Sequence, residues 1–146
     1  MNEFDVITVI ERPPADVFAA LTNVGAAPAW TPGLSEVRAE GGGAIAVGST
    51  ITYAGSFLGR GYESPARCTA LEPDERFTTV TTSGPFHLEV DYRLEPSGAG
   101  TTLTTHCRGE SRGFFKLAEP VVIRLTHRQF ESAAENLKAL LEGGAL

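Results

Sequence analysis

No apolar run in this 146-residue chain approaches the roughly 18 residues a membrane-spanning helix needs. Basic residues are scarce: Lys and Arg total 12 against 18 Asp and Glu, a net charge of −6. A nucleic-acid partner or insertion into an acidic membrane is therefore not expected, since both need a concentrated positive field. The N-terminus, Met1-Asn2-Glu3-Phe4-Asp5, is acidic where a secretory leader would be basic. The expected location is the cytoplasm. There are two cysteines, Cys68 and Cys107, with no Cys-x-x-Cys pairing; they read as reduced core residues. No phosphate-binding or dinucleotide glycine motif occurs. His87 and His106 have outward parity in their strands, and no zinc-like spacing joins any histidine to the cysteines. Neither metal nor cofactor is expected.

What remains is an ordinary globular composition, 42% hydrophobic and 21% charged, of a length that suits one domain, 1–146. The β-branched run Val6-Ile7-Thr8-Val9-Ile10 predicts a first strand over 4–11. Pro13-Pro14 opens a short helix over 15–21, and a second short helix is expected over 23–30. Strands follow over 34–40, 49–57, 61–72, 76–83, 86–95 and 101–109. The Gly- and Pro-rich gaps between most of them are too short for parallel crossovers, so the strands form an antiparallel meander. In 86–95, Phe86, Leu88, Val90, Tyr92 and Leu94 share one face, while His87, Glu89, Asp91 and Arg93 share the other. The first face is expected to be buried and the second wet.

The period then changes. Ile123, His127, Phe130, Ala134, Leu137 and Leu141 form one stripe of a helix running from about 116 or 119 to 142. Gly143-Gly144 ends it. A single helix about 10 Å wide cannot fill the hollow of about seven curled strands. A gap between sheet and helix is expected.

The order of these signals resembles a known family. Ile10-Glu11-Arg12-Pro13-Pro14-Ala15-Asp16-Val17-Phe18 leaves the first strand, and Trp30-Thr31-Pro32-Gly33 precedes the second. Leu71-Glu72-Pro73-Asp74-Glu75-Arg76-Phe77 and Leu94-Glu95-Pro96-Ser97-Gly98-Ala99-Gly100-Thr101-Thr102-Leu103 turn two hairpins. Asn136-Leu137-Lys138-Ala139-Leu140-Leu141-Glu142 closes the helix. The set is similar to the START-related, birch-pollen-allergen-like (SRPBCC) superfamily, in its polyketide cyclase/dehydrase branch. That resemblance implies an α+β helix-grip fold with a deep apolar cavity. It carries over no catalytic residue, because the superfamily shares no catalytic signature.

Candidate residues come from the inward faces. His127 lies within the helical stripe, where an imidazole could act as acid, base or hydrogen-bond donor. It is the best single candidate for catalysis. Tyr53, Tyr62 and Tyr92 lie in strands, and a phenol suits a cavity wall as well as a core edge. Trp30 is either cavity wall or hinge packing. Phe57, Phe86, Leu88 and Cys107 share inward faces, and Ile123 and Phe130 share the helical stripe. Phe114 and Phe115, with Leu117, are placed to cap an entrance.

Gly109-Glu110-Ser111-Arg112-Gly113 spells a nucleophile-elbow motif, but after an antiparallel strand rather than a parallel one, so a loop is the expected reading. Glu89 and Asp91 read as solvated carboxylates. Two classes of function stay open. One is an enzyme that cyclises or dehydrates a polyketide-, aromatic- or lipid-like molecule. The other is a carrier or sensor of a hydrophobic metabolite. The expected partner is a hydrophobic small molecule in either case, bound by a monomer or homodimer.

Overall fold

The computed structural model describes residues 2–145, apart from the side chain of Phe114. The elements in chain order are β1 (Asn2–Ile10), α1 (Pro14–Thr22), a 3-10 helix (Val24–Ala29), β2 (Leu34–Ala39), β3 (Thr50–Phe57), β4 (Arg60–Glu72), β5 (Arg76–Thr81), β6 (Phe86–Ser97), β7 (Gly100–Ser111), a second 3-10 helix (Gly113–Ala118) and α2 (Glu119–Glu142). The seven strands make one antiparallel sheet in the order β1-β7-β6-β5-β4-β3-β2. This is the expected helix-grip architecture.

β1 and β2 are consecutive in sequence yet sit at opposite edges of the sheet. α1 and the first 3-10 helix make that crossing, and Val17, Leu21, Val24 and Ala27 are buried along it. The sheet bends at register shifts between Leu34 and Glu36 and between Cys68 and Ala70. Curling folds the inner side chains of distant strands toward each other.

Close strand approach explains the glycine that opens the elbow-like motif. A Cβ on Gly109 would lie 2.0 Å from the carbonyl oxygen of His87 on β6. Gly109 thus allows β6 and β7 to pair through this point. Ser111 ends β7, and its backbone N–H donates to Glu119 at 3.3 Å. The motif is a strand end rather than a loop, and it is no elbow between a parallel strand and a helix.

α2 carries Pro120 in its first turn, where it is harmless because the N–H groups there have no intrahelical partner. It buries Val122, Ala133, Ala134, Leu137 and Leu141. Its last turn is tied to the end of β1. Lys138 Nζ donates to the Val9 carbonyl at 2.6 Å and to Glu142 at 2.7 Å, and Glu142 also accepts the Glu11 N–H at 2.9 Å. Arg12 reaches the Glu142 carbonyl at 2.6 Å. These bonds anchor one end of the helix, while its middle spans the hollow of the sheet. No helix in the described residues is long and apolar enough to cross a membrane.

Candidate functional site

Between α2 and the concave face of the sheet lies a partly open cavity of about 150 Å³. Alternation along the strands builds most of its wall. β6 contributes Phe86, Leu88, Val90 and Tyr92, and β3 contributes Tyr53 and Phe57. From β4 come Tyr62, Ser64 and Ala66, and from β5 come Phe77, Thr79 and Thr81. Leu21, Val24 and Ala27 of the short helices close one end. The helix side is Thr126, Gln129, Phe130 and Ala133.

Trp30 completes the wall because its loop is held at both ends. Gln129 Nε2 donates to the Pro32 carbonyl, and Asn136 Nδ2 donates to the Trp30 carbonyl at 3.2 Å. Beneath the loop, Gly55 has no side chain where one would strike the Gly33 carbonyl; a Cβ would approach it to 2.2 Å. The indole is thereby buried, only 6% exposed, against the cavity. Of the sequence candidates, Trp30, Tyr53, Phe57, Tyr62, Phe86, Leu88, Tyr92 and Phe130 converge on this one space.

Four candidates lie elsewhere. Phe115 stands just behind the wall: its ring stacks on Phe86 with centroids 4.9 Å apart and meets Phe57 edge-on at 5.8 Å. Cys107 and Ile123 line a separate hollow of about 30 Å³ between β7 and the start of α2. His127 lines neither space and stacks flat on Phe4 of β1, centroids 4.4 Å apart. The reason is helical phase. At about 100° per residue, the cavity-facing set of α2 centres about 110° away from His127 and about 70° from Ile123. The apolar stripe in the sequence merges two faces, one toward the cavity and one toward β1. Leu117 is 88% exposed and covers no entrance. The Phe114 side chain, expected to cap the entrance with it, lies outside the described residues.

Sequence reasoning passed over the polar wall residues. Thr79 and Thr81 occur in the run Thr78-Thr79-Val80-Thr81, where no apolar alternation separates inside from outside. Parity with Phe77, two residues earlier, was the available signal. Thr126 and Gln129 carried none, being polar residues on a helix.

No residue of the cavity wall, among those described, is charged or a histidine. Its titratable groups are phenols. Burial pushes the Tyr53 phenol up to about 12, although a hydrogen bond with Thr79 works the other way. Burial also raises Tyr62 and raises Tyr92 further, with Tyr53 and Cys107 adding to the effect at Tyr92. All three phenols stay protonated at neutral pH and can donate hydrogen bonds. The Cys107 thiol is pushed up to about 12 by burial, which makes it a poor nucleophile.

Two ionic clusters lie on the outer face of the sheet. Asp91 is only 4% exposed, not solvated as its parity suggested. It accepts from Thr78 at 2.6 Å, Arg76 at 3.0 Å and Arg93 at 2.7 Å. Burial alone would raise its carboxyl, but these donors and the charge of Arg76 outweigh burial and hold it below the usual range. The adjacent His106 contacts Asp5 at 2.5 Å and Glu3 at 3.1 Å across the β1–β7 pairing. No cluster of His, Cys, Asp or Glu among the described residues could hold a metal ion.

Residues 1–142 match the family described as polyketide cyclase / dehydrase and lipid transport. No curated protein matches the sequence. Among solved structures, TTHA0849 from Thermus thermophilus is similar at a TM-score of 0.84 and 15% identity, over 99% of this chain and 100% of that one. A START superfamily protein from Mycobacterium smegmatis aligns at 0.79 and 16% identity, over 97% of each chain. Ara h 8.0201 aligns at 0.76 and 13%, over 97% of this chain and 98% of that one. These likenesses show the shared fold.

Proposed function

The chain belongs to the polyketide cyclase/dehydrase and lipid transport family, and from that premise we propose that it binds a hydrophobic small molecule between sheet and α2 without transforming it. The observation that carries this reading is the makeup of the wall. A cyclase or dehydrase must move a proton, and the efficient groups for that titrate near neutral pH. The cavity wall holds no carboxylate, histidine or amine among the described residues, and the Tyr53 and Tyr92 phenols are shifted away from neutrality. The wall is suited to enclosing a guest.

Size supports the same reading. An apolar cavity of about 150 Å³ holds one benzene-sized ring. A longer guest has to extend through the opening or displace part of the aromatic cluster formed by Phe57, Tyr62, Phe86 and Phe115.

Native mass spectrometry of freshly purified protein is the test, followed by incubation of any released molecule with the protein. A bound molecule recovered unchanged supports a carrier or sensor. A new product would replace this reading with the enzymatic one. The protein has one tryptophan, and it lines the cavity, so its fluorescence reports occupancy directly.

A further inference from the structure

We infer that the guest is uncharged and brings a hydrogen-bond-accepting oxygen, such as an aryl ketone carbonyl, to the donors of the cavity wall; this rests on the binding function proposed above. The first ground is the missing counter-charge. A carboxylate or phosphate entering the cavity would be stripped of water with no Lys, Arg or His of the described wall to meet it. Burying a charge without a partner is far more costly than burying a neutral carbonyl. Guests that would have to bury an anionic group inside the cavity are thereby selected against.

The second ground is a surplus of donors. Trp30 and Ser64 line the cavity and are 6% and 4% exposed, yet Trp30 Nε1 and Ser64 Oγ have no hydrogen-bond partner. An indole N–H can only donate. Leaving it buried and unpaired is costly, and a guest whose oxygen shifts the wall enough to reach it recovers that cost. The third ground is the pair of phenols on β3 and β6. Tyr53 and Thr79 share a hydrogen bond between their hydroxyls, and both side chains line the cavity, so a guest oxygen meets a pair of groups that can donate. Tyr92 lies close enough to Tyr53 to interact with it electrostatically, and its ring is held over Phe77 at 6.0 Å. These donors come from β3, β4, β6 and the loop before β2, so only the curvature of the sheet gathers them.

Three single-ring probes of nearly equal shape separate the alternatives: acetophenone, its isostere α-methylstyrene, and benzoate. Affinity is read by calorimetry and ligand-observed NMR. Acetophenone is expected to bind roughly five- to tenfold more tightly than α-methylstyrene. Benzoate is expected to show no binding at neutral pH. Tyr92→Phe and Trp30→Phe should each lower the ratio of acetophenone to α-methylstyrene affinity, with circular dichroism and thermal melting showing that the variants are folded; a ratio unchanged in both overturns the inference. Equal affinity for ketone and alkene, or benzoate binding as well as the ketone, overturns this inference while leaving hydrophobic binding intact. If none of the three binds, the binding function itself falls, and this inference with it.

Discussion

The imidazole of His127 lies on the ring of Phe4, centroids 4.4 Å apart and planes 18° from parallel. Phe4 also meets Phe130 edge-on at 5.8 Å. His127 thus joins α2 to the edge strand β1. The residue that looked most catalytic in the sequence is part of the packing that holds the helix on the sheet.

Replacing His127 with Ala should therefore cost stability and not function. A stacked pair is worth about 0.5–1.5 kcal/mol beyond area burial. Chemical denaturation is expected to show a loss of about 1 kcal/mol. Ligand affinity, read by Trp30 fluorescence, should stay within error of the parent.

Phe115 is 3% exposed, and its ring backs Phe57 and Phe86 at the cavity wall. Phe115→Ala should lower stability by about 3 kcal/mol. It should also speed ligand exchange, because the aromatic cluster loses the ring that holds it shut. Thermal melting and stopped-flow fluorescence report the two effects separately.

His106 and Asp91 set opposite pH dependences on the outer face. Hydrogen bonding to Asp5 raises His106 most, burial opposes it, and the charges of Asp5 and Glu3 add to the rise. A raised folded value means the stabilisation is complete below the unfolded value near 6.5 and fades as pH climbs through the folded one. Urea denaturation between mildly acidic and mildly alkaline pH should show stability falling. His106→Asn should flatten that slope.

Asp91 behaves the other way. Its lowered carboxyl stabilises the fold above the unfolded value of 3.8, and that support is lost as pH falls through the lower folded value. Asp91→Asn should lower stability at neutral pH and reduce the acid sensitivity of the fold. Circular dichroism during acid titration of both proteins checks this.

Gly109 tests the reading of the elbow-like motif. Gly109→Ala would force a Cβ against the His87 backbone and the Leu88 side chain, 2.0 Å and 2.7 Å away. A stability loss of about 1–3 kcal/mol is expected from the overpacking. Ser111→Ala, by contrast, should leave ligand binding unchanged.

Much of the fold was legible along the chain because its signals are local. Inside–outside alternation in β6, tight Gly and Pro turns, and the change to helical period after residue 116 each involve neighbours in sequence. They determine antiparallel hairpins, one long covering helix and a row of inward aromatics that includes Tyr92 and Phe86. The family follows from their order.

Tertiary structure alone decided three matters. The rotation of α2 turns Thr126 and Gln129 to the cavity and His127 to Phe4. About 110° of helical phase separates the two, and which of them meets the cavity depends on how α2 packs across β1. The curvature of the sheet brings Tyr53 and Tyr92 together although β4 and β5 lie between their strands. Finally, Asp91 is buried on a face that alternation marks as wet, because Arg76, Arg93 and Thr78 close over it. Periodicity specifies which side of a strand or helix a residue occupies. What that side meets depends on partners distant in sequence, and only the assembled packing supplies them.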